Sequence, residues 1–324
     1  MMKSLRLVFT PHYDIGLWGM ERLHPFDSRK YGRTWNGLRK RFGSALDGIT
    51  ITPSAPVSDQ DLLRIHTLKY LATLTSSKVI ARALEIYPLR WLPNSVLRAR
   101  LLEPMRWATQ GTIDAAHWAV SNGCAINLSG GYHHAHADHG EGFCLFADIP
   151  VAIAALRASG GLHAIDKVII VDLDAHRGNG FEAIYIQDDD VQFFDLYNFQ
   201  AYPGDLDEPN RFPHLHPLRA GMDGEGYHNV LRRHLPIFLD EHRDAKLVFY
   251  NAGTDILAGD PIGHLNVAAD QVFERDRYVI DQFDDRGFPW VMLPSGGYTS
   301  HSHELMERAY GYAVEKHGGL KTVG

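Results

Sequence analysis

The chain has 324 residues, 45% of them hydrophobic, a formal net charge of −7 and only two cysteines, Cys124 and Cys144. That apolar fraction can fill one large α/β domain or two ordinary ones, while the acidic balance argues against a nucleic-acid surface, which carries a basic excess. Two cysteines build neither a disulfide framework nor a Cys-rich zinc site, and no stretch reaches the roughly 18 apolar residues of a membrane span, so a cytoplasmic protein is expected.

The apolar run at 5–9 is too short for a signal segment and reads as a first strand. Ser58-Asp59-Gln60-Asp61 resembles a capping box opening a helix over 62–74. Residues 81–105, with Pro88, Pro93, Pro104 and Trp91, read as an irregular excursion at the rim of a site. A helix over 109–121 then leads to a strand at 124–128. Further helices are expected at 149–158, 181–187, 226–240, 267–284 and 303–315. Strands are expected at 168–173, 191–196, 247–251 and 290–293, short and Val/Ile-rich without alternation, as strands buried on both faces are. Residues 202–224 read as loop. Strands alternating with helices predict a mostly parallel sheet with helices on both faces, and in such sheets sites form at the carboxyl ends of the strands.

The residues after each strand are therefore the ones that can carry chemistry. Asp172, Asp174 and His176 leave the strand at 168–173 at alternate positions, so an extended chain turns all three the same way. Carboxylate oxygen and imidazole nitrogen together suit zinc. Asp255 and Asp260 follow the strand at 247–251, and either could supply a third carboxylate. His133 and His134 follow the Gly130-Gly131 turn, where irregular backbone lets adjacent rings face one cleft for proton transfer near neutral pH. His136 and His139 follow closely and suit a surface loop or a further metal site. Tyr298, after Gly296-Gly297, can place a hydroxyl beside a developing oxyanion. Together these are the parts of a metal-assisted amide hydrolase.

In order and spacing these segments resemble the zinc-dependent histone deacetylase family. Ser129-Gly130-Gly131-Tyr132-His133-His134 with Gly142-Phe143-Cys144 is similar to its His-His motif and Gly-Phe-Cys tail. The stretch from Asp172 to Gly180 resembles its zinc-binding segment, Ala258-Gly259-Asp260-Pro261 its third-ligand segment, and Ser295-Gly296-Gly297-Tyr298 its catalytic-tyrosine segment. Leu23-His24-Pro25-Phe26-Asp27, Asp195-Leu196-Tyr197-Asn198 and Tyr202-Pro203-Gly204-Asp205 resemble the class IV branch.

The resemblance implies one catalytic domain over residues 1–324 with an arginase/deacetylase-like, mostly parallel sheet of about eight strands. It implies one zinc held by Asp174, His176 and Asp260, with water activated by His134 as general base, His133 assisting and Tyr298 holding the carbonyl oxygen. Asp172 would orient His133, and Asn179 would orient His134. Gly142 and Phe143 would line the channel, with His24, Pro25 and Phe26 at its rim. A structural potassium beside Asp172 and Asp174 is also implied. The expected substrate is an acyl-lysine, acetyl or longer, in a protein or peptide, with an acylated polyamine or other small amide as alternative. Many class I members carry Asp where this chain has Asn179, a neutral partner that stabilises an imidazolium less. An arginase-like two-metal ureohydrolase would need a further Asp where Gly178 stands. A non-catalytic acyl-amine binder would have to have lost activity with every expected residue intact.

Overall fold

The computed structural model describes residues 3–16, 27–204 and 211–322. Eight strands form one sheet in the order β2-β1-β3-β8-β7-β4-β5-β6. They are β1 Ser4–Val8, β2 Thr50–Ile51, β3 Gly123–Asn127, β4 Val168–Asp172, β5 Val191–Asn198, β6 His214–Leu218, β7 Leu247–Asn251 and β8 Trp290–Leu293. All seven pairings are parallel. Strands β4, β7 and β8 are buried at every residue, which is why their sequences show no polar alternation. This is the arginase/deacetylase arrangement expected from the sequence.

The long helices are α1 Lys30–Phe42, α2 Glu103–Asn122, α3 Asp148–Ser159, α4 Gly224–Glu241, α5 Ala269–Asp285 and α6 Ser302–His317. Helices α2 and α3 pack on each other, and α1, α6, α5 and α4 follow one another as a row; the pair and the row flank the sheet. Pro104 follows a π turn at Arg98–Leu102, through which the helical backbone of Asn94–Leu97 runs on into α2. Asp223 caps α4 by accepting from the Gly226 amide.

Several sequence expectations change. The helix expected over 62–74 is two short ones, Asp59–Leu62 and Leu68–Thr73, the second opened by a Thr67 cap. The stretch read as loop over 202–224 contains β6, whose pattern His214-Leu215-His216-Pro217-Leu218 is too polar to announce a strand. It can be so because β6 is an edge strand, where Pro217 lies free of a second ladder. Helix α1 and the two-residue β2 carry no clear signal. The excursion over 81–105 is a chain of short turns before α2, including Tyr87–Trp91 and Asn94–Leu97. Among the described residues, no helix is long and apolar enough to cross a membrane.

The strand order fixes where a site can be. The chain builds β1 to β3 in one half, jumps to β4, β5 and β6, then returns with β7 and β8 to fill the gap between β3 and β4. The loops leaving β3, β4, β7 and β8 thus meet at a topological switch point. In register, Asp172 lies beside Asn251 on one side and Asp195 on the other.

Candidate active site

After β3 the chain turns at Gly130 and Gly131, with φ of 99° and 86°. The buried Asp148, at the start of α3, accepts hydrogen bonds from the Gly131 and Tyr132 amides at 3.0 and 2.9 Å and from the Thr112 hydroxyl at 2.7 Å. That grip holds an irregular stretch, so His133 and His134 face one cleft with ring centroids 4.1 Å apart. The loop after β8 is tied to the same turn: Ser295 Oγ donates to the Gly131 carbonyl at 3.0 Å.

The two rings have different partners. His133 Nδ1 donates to Asp172 Oδ2 at 2.8 Å, and its Nε2 lies 3.7 Å from Asp174 Oδ1. Burial disfavours its charge, but Asp172 and Asp174 outweigh burial and raise it to about 9. His134 Nδ1 donates to Asn179 Oδ1 at 2.7 Å. The Asn179 amide in turn donates to Glu141 Oε1 at 2.7 Å, which fixes the way the amide points. His134 is thereby left with an unprotonated Nε2, the atom a general base needs. Burial, with the neighbouring charges of His133 and His176, holds His134 well below the ordinary imidazole range.

Below the rings lies a buried acidic cluster. Donor atoms of Asp174, His176 and Asp255 all lie within 4.8 Å of one another. His176 Nδ1 is 3.0 Å from both Asp174 Oδ1 and Asp255 Oδ2. Burial and the charge of Asp174 push Asp255 up to about 7, as two carboxylates resist joint ionisation without a cation between them. The Gly296 amide donates to Asp174 Oδ2 at 2.7 Å; a Cβ on Gly296 would come within 2.3 Å of Asp255 Oδ2, so only glycine lets this loop close over the cluster. The donor set fits a divalent metal. Asp260 borders the cluster, but its oxygens accept from the amides of Ile262, Gly263 and Tyr298 at 3.1, 3.0 and 2.9 Å. The third-ligand position left open between Asp255 and Asp260 thus has both carboxylates beside it.

Tyr298 stands across the cleft, 6.1 Å from the His176 ring and 6.0 Å from the Phe143 ring, both edge-on. Burial raises its pKa well above the usual phenol value, so the hydroxyl stays a donor. Gly142 packs under His134: a Cβ there would meet the ring at 2.5 Å. Phe143 is held at a φ of 67°, which turns its side chain into the cleft. Two cavities meet at His134, Phe143 and Tyr298. One is walled largely by apolar groups including Ile15, Tyr31, Leu84, Ile86, Leu101 and Met105. The other is more polar and carries Glu85, Gln200, Tyr202 and His264.

Of the residues expected from the sequence, His133, His134, Asp172, Asp174, His176, Asn179, Gly142, Phe143 and Tyr298 come together, and Asp260 borders them. His24, Pro25 and Phe26 lie outside the described residues. Sequence reasoning missed Glu141, Asp148, Lys30 and Arg275. Lys30 is wholly buried and donates to the Ser295 carbonyl at 2.7 Å; burial lowers its pKa to about 8. Only Asp148 left a signal, an acidic residue two before Pro150 at a helix start.

A family model described as a histone deacetylase domain matches residues 24–315. The chain belongs to the histone deacetylase family. This deacetylase-family chain is 38% identical over 307 residues to "Histone deacetylase 2" of Arabidopsis thaliana, covering 94% of the chain and 77% of that protein. It is 28% identical over 276 residues to the "Histone deacetylase-like amidohydrolase" of Pseudomonas aeruginosa, covering 81% and 71%. The HD domain of HDA15 superposes with a TM-score of 0.75 at 19% identity, covering 99% of this chain and 91% of that one. An HDAC homologue from Aquifex aeolicus gives 0.73 at 20%, covering 98% and 84%. These two structures share its fold. A deacetylase-type amidohydrolase of a generally metal-dependent family accounts for a His pair, a buried Asp/His cluster and a Tyr donor around one cleft.

Proposed function

We propose that the chain hydrolyses acyl-lysine in a protein or peptide, and that it takes fatty acyl groups as well as acetyl. The observation that carries the reading is the apolar-walled pocket that opens directly onto His133, His134 and Tyr298. An alkyl chain lying against that apolar wall would gain about 0.8 kcal/mol for each methylene it buries.

Zinc would be held by Asp174, His176 and Asp260, with Asp255 beside them, and would supply a Lewis acid for the carbonyl oxygen and a water of pKa near 7. Every other task falls to the protein. His134 Nε2 takes a proton as water adds to the carbonyl carbon. The Tyr298 hydroxyl donates to the oxyanion as it develops. His134 then returns the proton to the nitrogen, the C–N bond breaks, and free lysine and a carboxylic acid result. His133, pinned by Asp172, supports the developing charge. Phe143 and Gly142 flank the lysine stem.

The Asn179 partner and the segments at 195–198 and 202–205 favour the class IV-like branch. Asp195 fits a potassium site next to Asp172: its Oδ1 is buried with no hydrogen-bond partner among the described residues, and burial with the charges of Asp172 and Glu182 raises its pKa well above the usual range. Against a two-metal ureohydrolase, a side chain at Gly178 would begin 3.0 Å from Asp172 Oδ2. A second reading, an acylated polyamine, is favoured by Glu85 in the polar outer cavity, where it would meet a distal ammonium.

The test is a single lysine peptide carrying acyl groups from acetyl to myristoyl, assayed on zinc-loaded protein with Asp174→Ala as blank. Turnover should vanish in the blank and persist or rise with chain length. Activity confined to acetyl would remove the fatty-acyl reading, and activity on acetylpolyamine alone would shift the substrate to the second.

A further inference from the structure

The loop that carries His134 continues into a cluster of which the hydrolytic reading uses only Glu141. His136, His139 and Glu141 offer donor atoms that all lie within 4.8 Å of one another. His136 Nε2 is 3.2 Å from Glu141 Oε1, and His139 Nε2 is 3.7 Å from Glu141 Oε2. The two rings stack at 4.1 Å with planes 12° apart. The His136 amide donates to the His139 carbonyl at 3.0 Å, so the backbone already holds the pair together.

At His139 the protonation pattern is that of a metal ligand. His139 Nδ1 donates to Asp138 Oδ1 at 2.7 Å, which leaves Nε2 as the unprotonated atom facing Glu141. A carboxylate on the far nitrogen is the usual partner of a metal-bound imidazole, fixing its tautomer and raising its basicity. The His139 side chain is half exposed, while those of His136 and Glu141 are 17% and 31% exposed, so an ion can enter from solvent and keep a position for water. Two imidazoles and one carboxylate select a borderline ion over calcium or magnesium, which prefer all-oxygen shells.

We propose that His136, His139 and Glu141 form a second divalent-metal site, of zinc type, on the rim of the active-site cleft. It is separate from the buried Asp174–His176 cluster but not isolated from the chemistry. Glu141 Oε1 also accepts from the Asn179 amide at 2.7 Å, and Asn179 orients His134. An ion at the rim would therefore share Glu141 with the group that holds the general base.

The test is metal content of tag-free protein equilibrated in zinc-buffered solution. His139→Ala and Glu141→Gln should each carry one equivalent less than the wild type, while His163→Ala, at an exposed histidine elsewhere, should match the wild type. Cobalt(II) titration of the unaltered protein gives a check that needs no variant: two saturating equivalents are expected. A His139→Ala protein that binds as much zinc as the wild type, an equal loss in His163→Ala, or a single cobalt equivalent would each overturn the site.

Discussion

At Asn179 a neutral side chain stands where a carboxylate would bind the imidazolium more strongly. Its effect is legible in the contacts: Asn179 Oδ1 accepts from His134 Nδ1 while its amide faces Glu141 and His136. In Asn179→Asp the new carboxylate would favour protonated His134 and raise its pKa. Because the base must be neutral to act, the acid limb of kcat/KM should move to higher pH. The same change would place two carboxylates where a 2.7 Å hydrogen bond now stands, so kcat should fall and adding Glu141→Gln should restore it while the limb stays displaced. A limb that does not move in either protein would refute the role given to Asn179. Tyr298→Phe removes only a donor. Loss of roughly 10²–10³ in kcat with zinc content unchanged is expected, and near-full activity would remove Tyr298 from the oxyanion site. The two bordering carboxylates can be separated by metal content: Asp260→Asn should lose zinc retention, and if only Asp255→Asn does so, the third ligand is Asp255.

At the scale of elements, the ligand-bearing loops are held from behind by α5. Arg275 is fully buried and donates to the carbonyls of Leu173 and Gly253 at 3.0 and 2.6 Å, one in the loop after β4 and one after β7. It pairs with Asp276, which also accepts from the Tyr250 hydroxyl at 2.5 Å. Arg275→Met would strand the Asp276 charge and two carbonyls, a loss of roughly 3–5 kcal/mol, measurable by denaturant unfolding; a loss within the error of the measurement would mean the network is dispensable. None of this could be read from the sequence, since an Arg-Asp pair within Glu274-Arg275-Asp276-Arg277 looks like a solvated helix face. What could be read were the fully buried strands, whose apolar runs are continuous, and the long helices other than α1, found within about six residues of their ends. Short elements were missed because β2 and β6 take their conformation from a neighbouring strand. His66 ties the turn at 63–67 to the start of α3, its Nε2 accepting from the Ala147 amide at 3.0 Å. Burial lowers its pKa to about 4, against about 6.5 unfolded. The native state thus binds fewer protons between those values, so stability present above the unfolded pKa is lost as pH falls, by up to about 3 kcal/mol. His66→Gln keeps an acceptor and should flatten that acid slope; an unchanged slope would place its cause elsewhere.

For the molecule as a whole, the site was legible where a strand end delivers a motif and illegible where the fold brings in a residue from afar. Asp174, His176, His134 and Tyr298 were found because each follows its strand within a few residues, whereas Lys30 reaches the Ser295 carbonyl from a helix 265 positions away in sequence. The cavity is of the second kind. Its outer wall comes from the proline-broken excursion, through Leu84, Ile86, Leu101 and Met105, and its inner wall from the glycine turns after β3 and β8. On the acyl-lysine proposal the excursion has a task beyond connecting helices: it would set how much alkyl chain the cleft accepts. Ile86 is only partly buried and can take a larger ring with little strain on the core. Ile86→Trp should leave acetyl-lysine turnover and Tm nearly unchanged. If the ring excludes about four methylenes, at about 0.8 kcal/mol each, kcat/KM for a myristoyl peptide should fall by roughly 10². A uniform fall across all chain lengths would instead show that the alkyl chain leaves the cleft by another path, and that the apolar cavity is not where the acyl group lies.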